Sequence, residues 1–242
     1  MKKIKKITDS RYFAVKKFEE IEKGTLTEKS TYKYDEKGNK IEQNEFNYEG
    51  TLTDKWTYKY DEKGNQIEGN YYMGEGTFTS EWTFKYDEKG NKIEKNNYYG
   101  EGQISKSTYK CDEKGNKIEE NEFNDEGTLT DKWTFKYDEK GNKIEKNNYY
   151  EGQISKSTYK YDEKGNKIEE NEFNDEGTLT EKSTYKYDEK GNKIEQNYYY
   201  GEGKRSKFTY KYEFDAVGNW IKKTGSGDGE PIYIRERVIE YY

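Results

Sequence analysis

The sequence predicts an all-β protein: an extended antiparallel β-meander of tandem β-hairpin repeats, about sixteen to eighteen strands forming a twisted sheet or spiral. Three observations carry that expectation. The hexapeptide Tyr-Asp-Glu-Lys-Gly-Asn recurs, nearly verbatim, every 24–27 residues. A second series of glycines falls between its copies, so each period holds two turn signals and therefore one hairpin. Between the turns, aromatic and β-branched residues alternate with polar ones at a period of two. A closed barrel, or a small propeller with fifty-residue blades, is the alternative architecture.

Composition agrees with a thin structure. Ile, Leu, Val and Phe together make only 33 of 242 residues, while 27 Tyr and 4 Trp supply large amphipathic side chains. A thick aliphatic core is not expected. Disorder is not expected either, because aromatics abound and 44 basic residues nearly balance 50 acidic ones. The absence of His excludes imidazole chemistry and imidazole metal sites. The single Cys permits no internal disulfide. Balanced charge argues against a nucleic-acid partner, which needs a concentrated basic surface. No apolar run is long enough for a membrane-spanning helix, so no transmembrane segment is expected. The N-terminus lacks the apolar stretch of a signal peptide, so the chain is expected to be cytoplasmic or to have its export signal outside this sequence.

Taken in order, residues 1–24 read as a degenerate capping repeat. Asp9 lies 26 residues before Asp35, and Tyr12 stands where the turn glycine is expected. A short helix over 11–23 is the competing reading. Residues 25–219 are the tandem hairpins. Their turns begin at Asp35, Asp61, Asp87, Asp112, Asp138, Asp162, Asp188 and Asp215, each three residues before Gly38, Gly64, Gly90, Gly115, Gly141, Gly165, Gly191 and Gly218. Asp accepts hydrogen bonds from the turn backbone, and Gly supplies the positive φ of a type I turn with a following bulge. The outgoing segment, for example 51–60, places Leu52, Trp56, Tyr58 and Tyr60 on one face. In the return segment 117–124, Ile118 and Phe123 differ in parity and share a face only across a bulge. Residues 220–242 form the closing cap: a GSGDG turn at 225–229, then an alternating final strand.

The Tyr-Asp-x-x-Gly-Asn turn followed by strand, Gly, strand and Tyr-x-Tyr-Asp resembles the YD repeats of bacterial RHS-type proteins, over roughly residues 31–219. The segment from FDAVGNWIKKT to IYIRERVIEYY is similar to the end of RHS-like repeat lipoproteins. The resemblance implies antiparallel β architecture on secreted or cell-surface proteins, and in large members a shell around a toxin. No autoprotease or toxin segment accompanies it here.

Three kinds of site can be weighed. Tyr58, Phe84, Tyr109, Phe135, Tyr159 and Tyr185 occupy equivalent positions, as do Trp56, Trp82 and Trp133. They could form a stacking ladder for a carbohydrate, or simply pack along the sheet. The turn aspartates are repeated rather than unique, so they provide no catalytic constellation and no calcium loop; no cofactor or metal is expected. Cys111 replaces a turn tyrosine and reads as drift rather than a reactive thiol. The expected function is a non-catalytic structural or adhesive surface module, its partner a protein or polysaccharide surface. A carbohydrate-binding module is the first alternative and an RHS-type shell fragment the second.

Overall fold

A computed structural model describes residues 2–18, 20–74, 76–100, 102–201 and 203–242. Eighteen strands account for most of them. The first six are β1 (Ile4–Lys17), β2 (Glu20–Tyr34), β3 (Lys40–Phe46), β4 (Leu52–Tyr60), β5 (Gln66–Met73) and β6 (Thr77–Tyr86). Next come β7 (Lys92–Tyr99), β8 (Gly102–Cys111), β9 (Lys117–Asn124), β10 (Leu129–Tyr137), β11 (Lys143–Tyr150) and β12 (Gln153–Tyr161). The last are β13 (Lys167–Phe173), β14 (Leu179–Tyr187), β15 (Lys193–Tyr200), β16 (Lys204–Phe214), β17 (Trp220–Gly227) and β18 (Glu230–Tyr241).

Packing divides the chain into two units. The first comprises Met1–Thr83, Tyr98–Gly102 and Tyr210–Tyr242; the second comprises Phe84–Asn97 and Gln103–Thr209. In the first, β2 to β6 pair in chain order, β17 pairs with β18, and β1 is flanked by both β2 and β18. In the second, β8 to β16 pair strictly in chain order. All these pairings are antiparallel, and all eighteen strands belong to one sheet.

The pairing of β1 with β18 corrects the expected open sheet or spiral. Joining the first strand to the last closes the ladder, so that β1 has a partner on both sides. The physical reason lies in the seam. An open meander would leave two edges of unpaired backbone groups. Here Asp9 of β1, only 3% exposed, accepts from Nε of both Arg235 and Arg237 of β18. Arg237 also lies 3.5 Å from the Trp220 ring centroid. Lys23 of β2 reaches Glu236 at 2.9 Å. Ile7 and Ile234, two of the three buried hydrophobic residues among those described, belong to the seam strands. The third is Phe135, so the thin core foreseen from composition is what forms.

Two details of the N-terminal expectation need correction. Tyr12 is not at a turn: it lies inside β1, which runs unbroken through it, and the chain reverses after Lys17. The helix over 11–23 is likewise replaced by β1 and β2, whose two edges are satisfied by partners on both sides. At the other end, β17 extends through Gly227, so the turn is confined to Asp228 and Gly229.

The repeat turns form as their sequence dictates. At Asp35–Asn39, the Asp35 N–H donates to the Asn39 carbonyl at 2.9 Å and the Gly38 N–H donates to the Asp35 carbonyl at 3.0 Å. Gly38 has φ +92°, a conformation that a residue with a Cβ rarely adopts. One residue beyond Lys40, the register skips Ile41: Lys33 pairs with Glu42 but Tyr34 pairs with Lys40. The same skip occurs at Ile67, Ile118, Ile144, Ile168 and Ile194. Each Ile is the extra residue of a β-bulge, which resolves the parity mismatch noted for Ile118 and Phe123.

Candidate functional site

The bulge decides what each face of the sheet carries. In a regular strand Lys40 and Glu42 would share a face. With Ile41 unpaired between them, they part. Lys40 joins the aromatic face, and Glu42 joins the face of the outgoing strand's Lys and Thr residues.

On the aromatic face, each such lysine lies over rings of two successive hairpins. Lys40 Nζ lies 5.8 Å from Tyr32 and 4.7 Å from Tyr58. Lys92 bridges Phe84 and Tyr109, Lys117 bridges Tyr109 and Phe135, and Lys143 bridges Phe135 and Tyr159. Lys167 bridges Tyr159 and Tyr185, and Lys193 lies 5.2 Å from Tyr185. An ammonium over a ring face contributes about 0.5–1 kcal/mol at a half-exposed site. Burial between the rings lowers the pKa of Lys40, Lys92, Lys143 and Lys193. Burial also pushes Tyr58 up to about 12.

The ladder residues Tyr58, Phe84, Tyr109, Phe135, Tyr159 and Tyr185 are thus brought into one alternating row, but with lysines on their faces. The tryptophans are engaged differently. Trp56 stacks on Tyr71 with centroids 5.2 Å apart. Trp82 lies against Gly69, where an added Cβ would overlap the indole, and meets Tyr58 edge-on. Trp133 has Lys146 Nζ at 6.0 Å.

The opposite face is a charge lattice. Glu94, Glu119, Glu145, Glu169 and Glu195 each pair with two lysines, one from each flanking strand; Glu145, for example, meets Lys136 at 2.7 Å and Lys156 at 2.8 Å. The asparagine two residues on donates to the same carboxylate, as Asn147 does to Glu145 at 3.1 Å. These lysine contacts hold all five carboxyls down at about 2, with the asparagine adding to the effect. Glu68 has one such lysine, Lys59, because β6 carries Glu81 where the equivalent strands carry Lys.

The turn aspartates are also saturated. Asp35, Asp61, Asp87, Asp112, Asp138, Asp162 and Asp188 accept from both the backbone and side-chain nitrogens of the Asn four residues on. At Asp215 the partner changes: Tyr241 of β18 donates to its carboxylate, and Asn219 donates to Tyr241. The glycines Gly38, Gly64, Gly90, Gly115, Gly141, Gly165, Gly191 and Gly218 all have positive φ. The tyrosine that opens each turn is engaged as well, since Tyr60, Tyr137, Tyr161 and Tyr187 donate to the carbonyls of Lys40, Lys117, Lys143 and Lys167. Cys111, which lacks that hydroxyl, has its thiol pushed up by burial and then by Asp87 and Asp112, away from the reactive thiolate form.

Sequence reasoning found the rings and turn residues but missed the lysines and glutamates that engage them. The signal was the Lys-Ile-Glu tripeptide after each turn, from Lys40 to Lys193, broken only by Gln66. Among the described residues, no group of three or more Cys, Asp or Glu is placed to hold a metal.

No family model matches the chain. No curated protein matches it either. Solved structures do. A porin-like protein from Bacteroides uniformis aligns over 98% of this chain and 96% of its own, at 12% identity and TM-score 0.48. A porin-like protein from Bacteroides vulgatus aligns over 99% of each, at 12% identity and TM-score 0.44. The Photorhabdus luminescens Tc holotoxin pore aligns over 94% of this chain but only 12% of its own, at 15% identity and TM-score 0.40. The expected resemblance to RHS-type YD repeats is therefore corrected: two solved structures that align over nearly the full length of both chains are porin-like proteins. At these identities and scores the likeness carries nothing about activity.

Proposed function

We propose that the chain is a non-catalytic structural or adhesive module, a closed β-scaffold that works by contact with another protein surface. The observation that carries this reading is the mutual satisfaction of its charged groups. From hairpin to hairpin the same carboxylates meet the same lysines and the same rings lie under the same ammonium groups, so among the described residues these charged groups form a repeated lattice rather than one unique, activated constellation. Exposed apolar side chains gather at one end of the strands. In the second unit Ile104, Leu129, Ile154 and Leu179, at the strand ends away from the aspartate turns, are 45–50% exposed. In the first unit Tyr48 and Met73 are similarly placed and more than half exposed.

The two faces also favour water over lipid. No helix of the described residues is long and apolar enough to cross a membrane, which leaves the strands themselves. A membrane barrel needs an outward apolar band about 25 Å tall. One face here carries Lys–Glu rows at mid-strand, and the other carries Lys, Glu and Asp among its rings.

The test pairs surface adhesion with a glycan array. Leu129→Asp together with Leu179→Asp is expected to reduce adhesion to protein-coated surfaces several-fold while leaving the circular dichroism unchanged. Unchanged adhesion, or glycan binding that grows with oligomer length and is lost in Trp82→Ala/Trp133→Ala, would overturn the reading.

A further inference from the structure

The second unit holds a cavity of about 340 Å³ lined by Lys146, Asn148, Ser155, Ser157 and Glu172, among others. That volume lies at the lower end of small-molecule pockets, about 300–1,000 Å³. Register places all five residues on the aromatic face of adjacent strands. Lys146 pairs with Ser157 and Asn148 with Ser155 across β11 and β12, and Ser157 pairs with Glu172 across β12 and β13.

The lining carries charges of both signs that do not meet. No carboxylate of the described residues lies within ion-pair distance of the Lys146 ammonium, which has the Trp133 ring at 6.0 Å and acts on Glu172 only from longer range. Glu172 likewise has no cation at contact distance, yet it sits directly opposite Glu181 in the register. Like charges facing each other across a strand pair are destabilising. Burial, with Glu181 and then Glu170 beside it, raises the Glu172 carboxyl. One further group is unsatisfied: Asn148 Oδ1 is the buried side-chain oxygen, among the described residues, that no donor reaches.

An ammonium and a carboxylate, neither of them in a close ion pair, share one lining. We infer that this cavity binds a small zwitterion carrying a primary ammonium and a carboxylate, of which a free α-amino acid is the simplest. Its carboxylate pairs with Lys146. Its ammonium sits beside Glu172, relieving the Glu172–Glu181 repulsion, and the serine hydroxyls complete the polar shell.

The chain contains its own control. One block earlier, Lys95, Asn97, Ser105, Ser107 and Glu122 repeat the same residue types in the same order. There Asn97 donates to Ser105 at 2.7 Å, an arrangement that Asn148 and Ser155 do not share. The site is therefore assigned to the later copy alone.

The test is saturation-transfer NMR and calorimetry on the intact chain with L-alanine, acetate, ethylammonium, glycine betaine and glucose. L-Alanine is expected to bind at one site. Acetate and ethylammonium each lack one charge, and betaine lacks the N–H donor; each should bind about tenfold more weakly or worse, the equivalent of one lost charged hydrogen bond. Lys146→Met and Glu172→Gln should each weaken alanine about tenfold or more, and Lys95→Met should leave it unchanged. If a variant fails to fold, the ligand series on the unmodified chain decides alone. No transfer to alanine, equal transfer to acetate or glucose, or binding that survives both substitutions in folded protein overturns the inference.

Discussion

Cys111 shows what a single side chain contributes to this array. In four other hairpins the tyrosine at its position donates to a lysine carbonyl of the preceding repeat. A thiol is too short and too weak a donor to replace that bond. Cys111→Tyr restores the repeat's own solution at a place where the backbone already accommodates it, as Tyr137 and Tyr161 do in the neighbouring hairpins. It is expected to raise stability by about 0.5–1.5 kcal/mol, the net worth of one hydrogen bond. Denaturant melts of the two proteins check this; a lower midpoint for the tyrosine variant would mean the repeats are not equivalent here.

At the scale of the strand pair, the Lys–Glu rungs make stability depend on acid. Glu94, Glu119, Glu145, Glu169 and Glu195 sit near 2 in the folded chain against 4.5 when free. Folded carboxyls of this kind resist protons that the unfolded chain accepts, so stability is complete above about pH 4.5 and drains as pH falls towards 2. The turn aspartates, lowered by their asparagines, act in the same direction. Melting temperature should therefore fall steeply below about pH 4.5, with no slope from these groups between pH 5 and 8; a flat profile down to pH 2.5 contradicts the rungs. These rungs also mark where reading the sequence stopped. Strands, turns and ring parity were legible because each is a local pattern: Gly38 needs its φ, and Trp56 and Tyr58 need their alternation. The faces of Lys40 and Glu42 were not legible. They depend on the Ile41 bulge, whose presence follows from pairing with β2 and not from the return strand alone. The cavity beside Asn148 was hidden for a related reason, since its lining comes from four strands whose register no single segment specifies.

For the whole molecule, the decisive contact joins residues more than two hundred positions apart. The internal hairpins are close to interchangeable, whereas Asp9, Arg235 and Arg237 occur once, at the seam. That is why closure was invisible in the repeat pattern: the period describes neighbours, and a ring needs its ends to match. Removing residues 116–165 deletes β9 to β12 and rejoins equivalent turns, so a folded fourteen-stranded protein of smaller hydrodynamic size is expected. Removing 225–242 strips β1 of one of its two partners, leaves Asp9 a buried carboxylate without a cation, and should cause aggregation visible by light scattering. The reverse pattern, tolerance of the terminal deletion and collapse after the internal one, would refute the closed sheet. The seam also sets a clock. Ile4 is made 237 positions before its partner Tyr241. At about 5–20 residues per second, a ribosome leaves the β1 edge unmatched for on the order of 10–50 s. During that interval every nascent chain offers the same strand to its neighbours on a polysome, and a slower ribosome lengthens the exposure. The speed of translation from β1 to β18 is therefore expected to govern how much of the chain reaches the closed state rather than pairing with another copy.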